Sequence, residues 1–201
     1  MNNLDQVIQG QFPVHVMPRY GTHERLGAIG QRYLVGREGV KFEIRRPWLH
    51  AVVALHDKMR VDLPYGDCPA DNLELLCGPV PQAFGQRFRE QALASMPNET
   101  AAWVVWHERT RTFEYIELET IQASPVRVNF RRPELPCGTW LVMDFHSHGQ
   151  AAAFFSMQDD EDDAGEVKLA GVFGQLDQAV PGFEMRACLM GVFARLDSEG
   201  A

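Results

Sequence analysis

The sequence has no long hydrophobic run and no pairing pattern among its cysteines. No stretch approaches the roughly 20 apolar residues of a membrane-spanning helix, and residues 1–5 lack the basic-then-apolar order of a secretory signal. The four cysteines are scattered without a C-x-x-C pair, which argues against a thiolate zinc site and indicates reduced thiols. We therefore expect a cytoplasmic protein.

Positive charge is also scarce. The formal net charge is −8, and only three residues, Lys41, Lys58 and Lys168, are lysines. Binding to nucleic acid or to an anionic membrane requires a positive field. We therefore expect no nucleic-acid partner and no membrane partner.

The first part of the chain, residues 1–80, predicts a β-rich N-terminal region. The stretch Leu63–Pro81 holds six proline and glycine residues, and we expect it to be an irregular connection. The features that indicate strands are β-prone runs at 33–35, 40–44 and 51–55, with a hairpin turn at 36–39 between the first two.

Residues 81–201 predict a second domain. A helix is expected after Pro81, and it ends before Pro97. Helices packed on a mixed central sheet fit the order of elements, so we predict an α/β fold for this domain. The predicted elements are that helix, with an apolar face of Phe84, Phe88, Ala92, Leu93 and Met96, a short helix capped by Ser156, and strands at 101–106, 113–121, 140–145, 167–173 and 185–193.

Two histidines follow the predicted strand at 140–145. In extended backbone, His146 and His148 point to the same side and can bind one metal ion. An H-x-H pair alone is a weak signal, because histidines at a strand end more often bind no metal.

A serine and an aspartate lie just beyond this pair. The spacing of Ser156 and Asp159 is that of a helix N-terminal cap, and a capped helix start also holds a carboxylate rigidly, as a metal ligand requires. Two imidazoles and one carboxylate leave the fourth position of a tetrahedral zinc ion open, which is the pattern of a catalytic site.

A catalytic zinc also needs a base near the metal. Glu99 lies between the predicted helix and the strand that starts at Ala101, where its side chain can project over the end of a sheet. Considered alone, Glu99 fits an exposed loop glutamate better than a catalytic base.

Together these residues resemble the JAMM signature of the JAB/MPN metalloprotease family: an upstream glutamate, H-x-H, seven residues, then serine-x-x-aspartate. The resemblance covers about residues 81–195 and implies a mixed sheet flanked by helices, in cytidine-deaminase-like layers. It also implies His146, His148 and Asp159 as Zn²⁺ ligands, Glu99 as general base and Ser156 as hydrogen-bond donor to the oxyanion. The family usually has proline after the second histidine, and here Gly149 stands there.

The resemblance implies a zinc-dependent peptidase or isopeptidase that hydrolyses an amide bond after the C-terminal tail of a ubiquitin-like or small-protein partner. The whole chain is also similar to proteins of the PRTRC cassettes, which encode ThiF-like and ubiquitin-like partners. Two alternatives stay open: a non-catalytic MPN-type scaffold or binding module in such a cassette, and a non-haem iron enzyme built on two histidines and a carboxylate.

Three further features of the sequence do not predict an additional site. We expect the acidic run 159–163 to be a solvated helix start in which only Asp159 faces the metal. Asp144 could orient a ligand or face solvent, and we leave it out of the site. The remaining histidines have no partners at ligand spacing; they are His15, His23, His50, His56 and His107.

Overall fold

The structure, a computed structural model, describes residues 2–56, 59–125 and 127–196, with only the backbone at 127. The chain divides into two compact units, Met1–Gly78 and Pro79–Ala201. Within the described residues, no helix has the length and apolarity needed to cross a membrane.

The described residues of the first unit form one helix and one five-stranded sheet, in the order β1-β2-β3-β4-β5. Strand β1 is parallel to β2, and the other neighbours are antiparallel. Alternate side chains such as Leu34, Phe42 and Ile44 are buried and form its core. The elements are α1 (Asn3–Gln11), β1 (Val14–Val16), β2 (Gly30–Gly36), β3 (Gly39–Arg46), β4 (Leu49–Ala54) and β5 (Asn72–Leu75).

This unit confirms the predicted β-rich N-terminal region but differs from the prediction at one strand. The connection expected to be irregular contains β5, whose residues pair with β4 from Leu49 to Val52. The proline and glycine residues indicate breaks on either side of β5. The strand itself depends on pairing with β4, which its four residues cannot reveal alone.

The second unit contains a six-stranded mixed sheet, in the order β13-β12-β11-β10-β6-β7, and a separate two-stranded sheet of β8 and β9. Strand β10 is parallel to β11, and all other pairs are antiparallel. The predicted α/β fold, a mixed sheet with helices, is confirmed. Its elements are α2 (Gln82–Ser95), β6 (Ala101–His107), β7 (Thr112–Glu117), β8 (Thr120–Ser124), β9 (Arg127–Phe130), β10 (Thr139–Ser147), α3 (Met157–Asp163), β11 (Val167–Gly174), β12 (Gly182–Leu189) and β13 (Val192–Arg195).

Helix α2 packs on the sheet through aromatic side chains. Phe88 is fully buried, with its ring 5.1 Å from that of Phe145 and 5.6 Å from that of Phe173. Leu93, predicted on the same apolar face, is instead 42% exposed. The contact fixes the end of α2, and thus the start of the segment that leads to β6.

Two strands predicted as continuous are each divided in the structure. The run 113–121 ends as β7 at Glu117, and Thr120 begins β8 in the smaller sheet. The run 185–193 is interrupted by a turn at Met190 and Gly191, both with positive φ. Uninterrupted alternation or apolarity predicts strand conformation but not which sheet each part joins.

Candidate metal and catalytic site

The predicted histidine pair lies at the end of a central strand. His146 is the penultimate residue of β10, which runs between β6 and β11. The backbone N–H of His148 donates to the carbonyl of Phe173 at 2.8 Å, so the chain stays attached to β11 beyond the strand end. Both histidines are therefore held by a backbone with neighbours on each side.

The two imidazole rings face each other through Nε2. These nitrogens are 3.2 Å apart. His148 Nδ1 lies 3.0 Å from the carbonyl oxygen of Ala152. A carbonyl oxygen only accepts, so Nδ1 carries the proton and the Nε2 lone pair is free to bind a cation. Burial lowers the pKa of His146 and favours the neutral ring, although the carboxylates of Asp159 and Asp144 oppose this shift.

Asp159 reaches this pair from the start of α3. Ser156 and Asp159 form a capping box in which Asp159 Oδ2 accepts the Ser156 N–H at 2.7 Å and the Ser156 hydroxyl at 2.6 Å. The other oxygen, Oδ1, lies 3.5 Å from His146 Nε2. The cap therefore occupies one carboxylate oxygen and leaves the other beside the imidazoles.

The donor set fits a zinc ion. Ligands held about 2.0–2.1 Å from a tetrahedral zinc lie about 3.3 Å from one another, which is close to the observed 3.2 Å and 3.5 Å. The three ligand atoms lie within 4.8 Å of one another, and no other such group of three occurs among the residues that the structure describes. Two neutral nitrogens and one carboxylate suit zinc and leave one coordination position for water or substrate.

Glu99 lies in the segment between α2 and β6. Its backbone N–H donates to the carbonyl of Ser124 at 2.9 Å, and its side chain is buried. Burial, and secondarily the negative charge of Asp159, raises the pKa of Glu99 to about 7. A carboxyl group with this pKa can both accept and donate a proton near neutral pH.

The five predicted site residues share one cavity. It has a volume of about 460 Å³ and is lined on one wall by Val128, Asn129 and Phe130 of β9. The structure thus brings together all the side chains predicted from spacing, and their catalytic and ligand roles stay predictions. The predicted site residues in its wall are Glu99, His146, His148, Ser156 and Asp159.

A buried charge network beside the cavity was not predicted. Lys168 Nζ bridges Asp144 at 2.6 Å and Asp163 at 2.7 Å, and Arg186 donates to Asp163 at 2.8 Å and also bonds Asp160. The acidic run is therefore not simply solvated, because Asp163 is 5% exposed and paired with cations. One signal was available: Lys168 is the only lysine after residue 78, and it lies within an apolar strand.

Two of the other histidines pair with carboxylates outside the predicted site. His50 Nε2 lies 3.0 Å from the buried carboxylate of Glu43, and His107 Nε2 lies 2.8 Å from Glu114. These carboxylates come from neighbouring positions across the sheets, which is why linear spacing did not reveal them.

Comparisons with known proteins gave two family matches and a structural likeness. No curated protein matches the chain. The solution structure of protein DSY2949 from Desulfitobacterium hafniense is 12% identical and has a TM-score of 0.44, with 58% of this chain and 87% of that chain covered. Residues 2–76 match a domain of unknown function, DUF2016. Residues 81–188, more than half of the chain, match the prokaryotic homologs of the JAB domain, and the chain belongs to that family.

Proposed function

We propose that this protein is a zinc-dependent peptidase or isopeptidase that hydrolyses an amide bond. The observation that carries the proposal is that one cavity holds a His–His–Asp donor set together with a buried glutamate whose pKa is raised to about 7. Membership of the JAB family supports it. When bound, zinc would supply Lewis acidity that activates water and polarises the substrate carbonyl.

The other roles in the reaction belong to side chains of the protein. His146, His148 and Asp159 hold the metal. Glu99 accepts a proton from the attacking water and passes it to the leaving amine. Ser156 donates its hydroxyl to the developing oxyanion. In that step the hydroxyl turns away from Asp159 Oδ2, and the Ser156 N–H remains bonded there at 2.7 Å.

We further propose that the substrate is the extended C-terminal tail of a ubiquitin-like or small protein. Strand β9 pairs with β8 along one edge and contributes three residues to the cavity wall. An extended tail can add as a further strand along the edge of β9 opposite to β8. Its last peptide bond would then reach the site. A ThiF-like protein would be the partner that activates the same tail, as the resemblance to the PRTRC cassettes implies.

The test is cleavage of a peptide that ends in Gly-Gly and carries a fluorescent amine in amide linkage. We expect the zinc-loaded protein to release the amine, and Glu99→Gln to lower kcat by about 10²–10⁴-fold because the base is lost, with unchanged zinc content. Glu90→Gln, an exposed glutamate of α2, is the matched control and should retain full activity.

Equal rates for the wild-type protein and Glu99→Gln would refute the role of Glu99. A protein that binds a ubiquitin-like tail but never cleaves it, with or without zinc, would instead support the alternative of a non-catalytic binding module.

A further inference from the structure

The residue between the two histidines is fully buried and has an unusual hydrogen bond. After a register shift between Leu141 and Met143, strands β10 and β6 pair without interruption from Met143 opposite Val104 to His146 opposite Ala101. One step further, the N–H of Ser147 donates to the carbonyl of Thr100 at 3.1 Å. In a regular hydrogen-bonded antiparallel pair, each residue donates its N–H to the carbonyl of the other. The Thr100 N–H would then donate to the carbonyl of Ser147. Here the N–H of Thr100 donates to Ser147 Oγ instead, also at 3.1 Å.

The side chain of Ser147 thus takes the place of its own carbonyl at the end of the ladder. Both residues are buried, with Ser147 0% and Thr100 6% exposed. No bulk water is available to replace the serine oxygen. A buried N–H left without an acceptor is unfavourable, because it has lost its hydrogen bonds to water. The backbone at Thr100 therefore depends on this hydroxyl.

The segment leaves the sheet at this point. The next N–H along, that of Glu99, no longer pairs with β10 and donates to Ser124 O at 2.9 Å. Thr100 is held from its other side by Gln91, whose Nε2 donates to Thr100 Oγ1 at 2.8 Å. The backbone that carries Glu99 is therefore fixed by a short set of buried bonds, and one of them comes from the histidine strand itself.

We infer that Ser147 is a positioning residue for Glu99: by accepting the Thr100 N–H, its hydroxyl sets the distance between the proposed base and the His146–His148 pair. The inference rests on the proposed function. A small side chain with an oxygen acceptor is required here. Alanine has no acceptor, cysteine offers only a weak one, and threonine keeps the same oxygen.

Removal of the Ser147 hydroxyl should lower the rate of the chemical step. A base misplaced by about 1 Å can cost about 10²-fold in rate. We expect Ser147→Ala to lower kcat about 10–100-fold with KM changed less than about threefold and zinc content unchanged, because the ligand side chains are retained. Ser147→Thr should restore kcat to within a few-fold of the wild type.

A double-variant cycle with Glu99→Gln on the Gly-Gly fluorescent amide distinguishes positioning from general structural damage. If Ser147 acts through Glu99, adding Ser147→Ala to Glu99→Gln should lower kcat by less than about twofold. Multiplicative losses, loss of zinc from Ser147→Ala, or wild-type kcat in Ser147→Ala would each overturn the inference while leaving the proposed function intact.

The double-variant cycle does not cover two possible outcomes. If Ser147→Ala does not fold, Ser147→Thr and Ser147→Cys decide: wild-type kcat for threonine with a reduced kcat for cysteine supports the inference, and equal kcat values overturn it. Equal kcat for the wild type and Glu99→Gln would refute the role of Glu99 in the proposed function, and this inference with it.

Discussion

The two oxygens of Asp159 have different partners, so a capping role and a ligand role are compatible in the same side chain. Serine-x-x-aspartate spacing indicates a helix cap and is also part of a metalloprotease motif. In the structure Oδ2 accepts both bonds from Ser156, and Oδ1 lies 3.5 Å from His146 Nε2. Because the cap orients the carboxylate, a single oxygen is directed to the proposed metal position.

A buried carboxyl group makes the stability of the zinc-free protein depend on pH. The pKa of Glu99 is raised from 4.5 to about 7, so the folded state holds this proton more tightly than the unfolded chain. That stabilisation is complete below pH about 4.5 and is lost as the pH rises through about 7. We compare the free energy of unfolding of Glu99→Gln with that of the wild type, both treated with chelator. The difference should favour the variant more at pH 8 than at pH 4.5, by up to about 3 kcal/mol.

Urea denaturation of the zinc-free protein from pH 4.5 to 8 measures this difference. Glu90→Gln, on the exposed face of α2, should show no such trend. A stability difference between Glu99→Gln and wild type that is the same at both ends of the range would contradict the assigned pKa.

Gly149 replaces the proline that the family usually has, and its backbone explains why proline does not fit. Its φ is +56°, whereas proline requires about −65°. A Cβ at this position would lie 3.2 Å from the carbonyl oxygen of Pro97. We expect Gly149→Ala to destabilise the protein by about 1–2 kcal/mol, and Gly149→Pro to destabilise it more.

Midpoints of urea denaturation test this order. Gly165→Ala is the control, because an added Cβ there has no neighbour within 4 Å, and it should change stability by less than about 0.5 kcal/mol. A Gly149→Pro variant as stable as wild type would show that the turn readily adopts the family's usual conformation.

At the scale of elements, α3 depends on its surroundings. It has only seven residues, of which five are acidic, and an isolated helix this short does not form in water. Arg186 donates to Asp163 and Asp160, and its guanidinium lies 4.0 Å from the ring centre of Phe155 and 4.1 Å from that of Phe193. The position of α3, and with it that of Asp159, is therefore set by cations on β11 and β12.

Removing the arginine should loosen both the fold and the metal site. We expect Arg186→Met to cost about 1.5–3 kcal/mol of stability, because Asp163 loses one charged hydrogen-bond partner and keeps Lys168, and to weaken zinc binding at least about tenfold. Denaturation and zinc competition against a chromogenic chelator measure the two effects.

Arg25→Met is the comparison, since the Arg25–Glu74 pair is about half exposed and such pairs contribute at most about 1 kcal/mol. If Arg186→Met binds zinc as tightly as wild type, α3 holds Asp159 without the network.

The elements also show what the sequence can and cannot predict. Periodicity and proline placement predicted α2, β6, β10 and the β2–β3 hairpin, because these signals are local. They did not reveal that the alternating run 113–121 changes sheets after Glu117, because strand pairing is decided by distant residues. For the same reason the Lys168–Asp163–Arg186 network was missed: three separate elements must meet before it exists.

At the scale of the whole second unit, topology explains how distant residues converge. A parallel pair such as β10 and β11 requires a crossover connection, and here the crossover includes α3. The crossover begins at the carboxyl end of β10, where the histidines lie, so Ser156 and Asp159 return near that end. Glu99 arrives from the other side, immediately before β6, the antiparallel neighbour of β10. The spacing of the motif follows from this order of elements.

The most direct test of the account is the zinc content of the protein after chelation and equilibrium dialysis against zinc. We predict one zinc per chain for the wild type and for Glu161→Gln, an exposed change on the same helix, and nearly none for His148→Ala and Asp159→Asn. A wild type that takes up no zinc, or that takes up iron in its place, would contradict the account, as would a His148→Ala variant that still binds one zinc.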